Sequence, residues 1–367
     1  MFTGTVAVTG LNATDNPAPG VGVIRALRQS PEFAGRIVAL PYDGWEPGIY
    51  DTDIVDDVFM IPRPSAGPDA LFDRLSYIRS RVPLDAAIPT LDSELPGWIA
   101  LQPKLSRWNV GMFLPGLRQF DLRSKARLCE LGDLADVMVP RTQTLYSYSD
   151  LHAAMNRFGF PLVVKGVYYG AVSCRTFREA ETAFHKYAAD WGYPVLAQEY
   201  LFGQEYNVTA LGDGQGGLLG AVAMKKQCLT DKGKGWAGVT VHSPECIEAT
   251  ARFMAESRWG GPCELEFLRT PDGRFFLLEI NPRFPAWVYL CPAAGINLPW
   301  MCLQAAIGEM PEPQTDYKAG VLFIRISLDR IVAMEDFQSM LTLGELRHNG
   351  SPASALSSVA GDRNECR

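Results

Sequence analysis

The stretch from Cys263 to Arg283 constrains this chain more than any other. Two apolar runs, Cys263-Glu264-Leu265-Glu266-Phe267 and Leu277-Leu278-Glu279-Ile280-Asn281, flank the tight-turn sequence Pro271-Asp272-Gly273 and read as an antiparallel hairpin. Side chains alternate across a strand, which sends Glu279 and Asn281 to one face and Leu278 and Ile280 to the other. Glu266 is expected opposite Glu279 on that same face. Neighbouring carboxylates repel, and a hard divalent cation with its preference for oxygen ligands resolves the repulsion. Glu266, Glu279 and Asn281 are therefore candidate Mg²⁺ ligands facing nucleotide phosphates. The plainer alternative is a solvated strand edge bearing unrelated acids. Arg283 follows across Pro282, which fixes the chain direction, and is a candidate catalytic residue for neutralising a transferring phosphoryl group, or else a salt-bridge partner of a nearby acid.

Two further segments carry chemistry. Leu162-Val163-Val164-Lys165 ends an apolar strand on a lysine, and a buried ammonium needs a partner such as phosphate. The residues after it, Val167 to Ser173, are expected to be a loop closing over phosphates with its backbone amides. The run Gln198-Glu199-Tyr200-Leu201, followed by Gly203 and Glu205, joins two strands. Its backbone is placed to meet an adenine edge and Glu205 to accept from ribose hydroxyls, although a plain hairpin explains the spacing equally well. Of the adjacent Lys225 and Lys226, one alone can face the cleft, and Lys225 is favoured. His242 is read as a structural histidine in preference to a general base.

The rest of the chain supplies the frame. Strand patterns at Thr5–Thr9, Arg36–Leu40 and Ala86–Pro89, with helical patterns at 23–29 and 69–81, imply a parallel doubly wound sheet over residues 1 to about 115. Ligands gather at the carboxyl ends of such strands, so Asp92 and Glu94 either face a substrate or serve as capping and surface carboxylates. One helix is expected from Asp121 to Leu134, then alternating strands and short helices with an antiparallel sheet up to about Asp329, and a frayed tail from His348. A net charge of −7 argues against a nucleic-acid surface, and scattered cysteines with no basic, apolar leader suggest reduced thiols in a cytoplasm. No membrane partner is expected, and a homodimer is allowed for.

In this order the three segments resemble the ATP-grasp superfamily, above all enzymes similar to the synthetase halves of the carbamoyl-phosphate synthase large subunit. The resemblance spans about residues 1 to 330. It implies an α/β and α+β fold, with a Rossmann-like pre-ATP-grasp domain (1–115), an ATP-grasp domain (116–330, small lobe about 141–200, large lobe about 201–330) and a C-terminal helix and tail (331–367). By the same resemblance Lys125 and Lys165 match phosphate-binding basic residues, Gln198, Glu199, Tyr200 and Leu201 the adenine hinge, Glu205 the ribose ligand, Glu266, Glu279 and Asn281 the magnesium ligands, and Arg283 the arginine on the reacting phosphate. ATP and Mg²⁺, or Mn²⁺ in its place, are the implied cofactors. Ala294 to Pro299 looks like the family's helix start after the metal strand. Two departures stand out: Tyr168 and Tyr169 where relatives carry glycines, and the bulky run Phe284 to Tyr289, read as core packing in preference to an acceptor pocket. The expected activity is carbon–nitrogen ligation through an acyl phosphate; phosphoryl transfer alone, or nucleotide binding without turnover, are the alternatives.

Overall fold

The computed structural model describes residues 1–167, 170–230 and 233–347. Tyr168 and Tyr169, the start of the Asp231 loop and the tail from His348 lie outside the described residues. The chain builds three sheets. In the first, β1 (Thr5–Thr9), β2 (Arg36–Leu40), β3 (Asp57–Phe59) and β4 (Ala86–Ile88) run parallel in the order β3-β2-β1-β4. These strands are apolar at nearly every position because helices cover both faces. Val6, Val8 and Ile37 pack to one side, and Ala7, Val38 and Leu40 to the other. The first helix begins at Gly20, earlier than its apolar pattern. Only glycine fits there, since a Cβ would lie 2.1 Å from the Thr9 carbonyl oxygen.

The second sheet is antiparallel: β5 (Thr142–Leu145), β6 (Leu162–Lys165), β7 (Ala171–Cys174) and β8 (Val195–Glu199) lie in the order β5-β8-β6-β7. Helices Tyr148–Phe158 and Phe177–Trp191 cover one face through Leu151, Ala180 and Phe184. Of the expected phosphate loop, Ala171 to Ser173 are strand. Gly170, at φ 85°, reverses the chain, its carbonyl accepts from the Gly166 N–H at 3.2 Å, and Ala171 then pairs with Lys165.

The third sheet holds β9 (Gln204–Asp213), β10 (Leu218–Leu229), β11 (Gly235–Thr240), β12 (Gly260–Arg269), β13 (Phe275–Asn281) and β14 (Leu322–Ile324), in the order β13-β12-β9-β10-β11-β14. All its pairings are antiparallel. One face is apolar, with Val208, Ala223, Leu265 and Ile280 under helix Pro244–Ser257. On the other face Leu211, Val222 and Met224 join a core that continues through Phe284, Val288 and Leu298 to the first sheet's helix. The run Phe284 to Tyr289 is thus largely core, although Tyr289 stays exposed. As expected, Asn297 starts the following helix, Leu298–Ala306, its side chain accepting from the Trp300 N–H.

Two elements differ from expectation. The helix expected over 121–134 breaks into Leu117–Leu122, a single turn at Lys125–Arg127, and Leu128–Ala135. The break turns Arg123 toward Asp92 and Lys125 toward Glu279. The chain also returns to the first sheet, where β15 (Glu345–Arg347) pairs antiparallel with β3. Among the described residues no helix is long and apolar enough to cross a membrane.

Candidate active site

The acids of β12 and β13 share one face, as the strand period dictates. Glu266 lies directly across from Glu279 and Glu264 across from Asn281. The neighbouring β9 adds Asn207 opposite Glu266, and β10 brings Lys226. Hydrogen bonds tie the group together. The Asn281 amide donates to Glu266 at 3.0 Å and to Glu264 at 3.2 Å, and Asn207 donates to Glu264 at 2.7 Å.

Cations close on this face from three directions. Lys125 reaches Glu279 at 3.3 Å, and Lys226 lies 2.6 Å from Glu205 and 3.4 Å from Glu266. Arg283 donates to Asp92 at 3.0 Å and to Glu264 at 3.3 Å, linking the first sheet's Asp92 loop to the metal-side strand. Burial opposes the charge on Glu266, but Lys226 and Arg283 more than offset it and hold the carboxyl below its usual range. Glu264 moves the opposite way, raised by its burial and by the Glu266 charge.

Lys165 approaches from the second sheet. It is buried, and desolvation followed by repulsion from Lys125 lowers its pKa to about 8, against the attraction of Glu279 and Glu266. Two ammonium groups that feel each other's field disfavour each other's charge unless an anion joins them.

The structure separates the remaining candidates. Lys225 is a correction: it lies on the opposite face of β10 from the acids, its ammonium 6.0 Å from the Tyr206 ring, while Lys226 faces them. Alternation decided the question, and the local sequence gave no sign of which lysine it would favour. In the hinge, Gln198 is buried and donates to the Thr142 hydroxyl at 2.9 Å, and the Glu199 carboxylate is taken by Arg141 at 2.7 Å. Tyr200 is exposed and Leu201 half-buried just beyond β8. His242 is exposed at the start of helix Pro244–Ser257. Glu94 faces no cleft: it is buried and accepts from Thr9, Tyr42, Trp98 and two backbone amides. Sequence reasoning passed over Glu264, which binds Arg283, Asn207, Asn281 and the Trp287 indole at 2.8 Å. Its signal was the same period-two spacing from Glu266 that paired Glu279 with Asn281.

Among the described residues no three acidic, histidine or cysteine side chains close on one point to cage a metal. Mg²⁺ takes one or two carboxylates and fills its remaining positions with waters and substrate phosphates. Glu266 and Glu279, with Asn281 hydrogen-bonded to Glu266, are an oxygen donor set that fits such an ion.

Residues 193–326 match the model of a family described as ATP-grasp in the biosynthetic pathway with Ter operon. That stretch of the chain is matched as an ATP-grasp domain. It is 24% identical over 213 residues to the carbamoyl phosphate synthase large chain of Clostridium botulinum, covering 52% of this chain and 19% of that protein. It is 28% identical over 187 residues to D-alanine–D-alanine ligase B of Pseudomonas putida, covering 47% of this chain and 56% of the ligase. The chain thus spans from about a fifth to just over half the length of these curated relatives. In fold it is similar to the biotin carboxylase domain of a Hydrogenobacter thermophilus 2-oxoglutarate carboxylase, solved as a dimer with MgADP, ADP and bicarbonate. The TM-score is 0.67 at 17% identity, over 87% of this chain and 73% of that one. The expected fold is the one found.

Proposed function

We propose that this ATP-grasp chain is an ATP-dependent carboxylate–amine ligase acting on a small carboxylic acid or amino acid, with ADP and phosphate as products. One observation carries the reading: two lysines from separate segments, Lys125 and Lys165, converge on the face where Glu266 and Glu279 oppose each other. A nucleotide's phosphates supply the anion that the paired ammonium groups need, and Mg²⁺, or Mn²⁺ in its place, the cation that the paired carboxylates need.

In this reading Glu266, Glu279 and Asn281 hold the metal, which when bound would neutralise charge on the transferring phosphoryl group. Lys125 and Lys165 hold the phosphates, the hinge Gln198 to Leu201 holds adenine through its backbone, and Glu205 holds ribose. Lys226 takes the part first given to Lys225. It joins Glu205 to Glu266, so nucleotide binding redistributes an existing ion pair. Arg283, oriented by Asp92 and Glu264, points its guanidinium toward the reacting phosphate. The substrate carboxylate attacks the γ-phosphorus and ADP leaves; the amine then attacks the acyl carbon, phosphate leaves, and the nitrogen gives up a proton. Positioning and fixed charge accomplish this without a covalent nucleophile. The division at about residues 115, 200 and 330 belongs to the same reading.

Hydroxylamine tests it. An acid that stimulates ADP release should yield a hydroxamate in hydroxylamine's presence, because the acyl phosphate is intercepted. Phosphorylated product with no hydroxamate from any stimulating acid would make the chain a phosphotransferase instead.

A further inference from the structure

The large sheet ends on β14, and none of the described strands pairs with its outer side. Inward bonds run through odd-numbered positions: the Val321 carbonyl accepts from Thr240 N–H, and Arg325 N–H donates to the Trp236 carbonyl, each at 2.9 Å. In an antiparallel ladder the intervening residues turn their N–H and C=O groups the other way. The backbones of Leu322 and Ile324, and of Ile326 if the chain continues extended, therefore face outward. Their side chains and that of Leu328 are 53%, 64%, 75% and 80% exposed in turn. Free edges are ordinarily blunted by charge, proline or a bulge. Here every second residue is aliphatic instead. The chain beyond this edge, Ser327 to Arg330, lines two cavities of about 630 and 660 Å³, the second of which is lined by Leu322 to Ile326 as well.

We propose that a second copy of this chain docks on this edge, its own residues 322–326 adding antiparallel to β14. The strip is complementary to itself. Because only even-numbered residues point their backbone outward, a two-fold register must pair even with even. Centred on Ile324, it sets that residue against its counterpart, Leu322 against Ile326, and Phe323 against Arg325. That last pair repeats between subunits the guanidinium-over-ring contact, 5.5 Å, that each subunit makes internally. Centring on Arg325 would oppose two guanidinium groups. The chain's own end is a poorer occupant. Residues 348–367 hold two branched aliphatic side chains, Leu356 and Val359, and their odd spacing puts them on opposite faces of any strand.

Five residues a side make a contact below the ~1,600 Å² of a standard interface, so the dissociation constant is expected on the order of 10 µM. Sedimentation across roughly 1 to 100 µM should show monomer passing to dimer. Hydrogen exchange of the peptide covering 320–328 should slow over the same range. Ile324→Lys should weaken the dimer at least tenfold, and Ile326→Lys likewise, with unchanged melting temperature because both side chains are already exposed. A monomer throughout, a dimer indifferent to both lysines, or a dimer without added exchange protection overturns the proposal. So does dimerisation that appears only after residues 348–367 are removed, which would make the tail the natural cover.

Discussion

Glu94 and Glu264 are both buried, both have carboxyl pKa values raised first by desolvation, and both collect several donors, yet they sit in different kinds of surroundings. Glu94 is held by hydroxyls, an indole and backbone amides at 2.8 Å from Thr90 and Leu91, all from the first sheet and the segments that follow its strands. Glu264 is held by Arg283, Asn207, Asn281 and Trp287, and it feels the charge of Glu266. The first carboxylate closes a loop. The second orients groups that themselves face the candidate metal and phosphates. Burial and hydrogen bonding alone do not separate these roles; the charge and freedom of the partners do.

The largest effect should come from the acid face itself. Glu279→Gln replaces a charged oxygen ligand with a neutral one of the same shape, so ATP turnover should drop about 100- to 1,000-fold while the melting temperature holds. Turnover near wild type in that variant would remove the metal-binding assignment and, with it, the contrast with Glu94.

A smaller effect sharpens the contrast directly. Glu264→Gln keeps the size of the side chain but weakens its grip on Arg283, so kcat should fall about tenfold with the KM for ATP little changed. Glu94→Gln should do the reverse: it forces an amide among donors that want an acceptor, costing about 1–3 kcal/mol of stability by chemical denaturation, and leaves kcat alone. Equal losses of kcat in the two variants would mean that the loop acid also acts on the reaction.

How much of this was legible follows from the same physics. The Glu266–Glu279 pairing was readable because strand alternation and a Pro-Asp-Gly turn fix register within one hairpin. Three parallel strands of the first sheet were readable because continuous apolar runs have few other uses, whereas the three-residue β3 was not expected. Partners brought in from other elements were not. Nothing near Arg283 in sequence names Asp92, and nothing near Lys125 names Glu279; the broken helix that delivers Lys125 reads as one continuous helix. Lys225 and Lys226 were equivalent until the register of β10 against β9 assigned their faces. The short strand β15 had no signal, since its pairing depends on a partner strand almost 300 residues away.

The smallest effect concerns protons. In the free protein, desolvation and then Lys125 hold the Lys165 ammonium at about pKa 8, below its ordinary value of 10.5. Between those values the folded chain has released a proton that the unfolded chain keeps, so stability of the nucleotide-free protein should rise with pH through that window and gain nothing from this group below it. Phosphates favour the charged ammonium, so binding ADP at pH 8 to 8.5 should draw in a fraction of a proton, and affinity should weaken as pH climbs further. Titration calorimetry in buffers of different ionisation enthalpy reads that uptake directly. Lys165→Met should abolish it, whereas Glu94→Gln should leave it unchanged, because the loop acid in the first sheet has no ammonium near it to titrate. Uptake that survives Lys165→Met would assign the proton to another group and leave Lys165 without its place beside the phosphates.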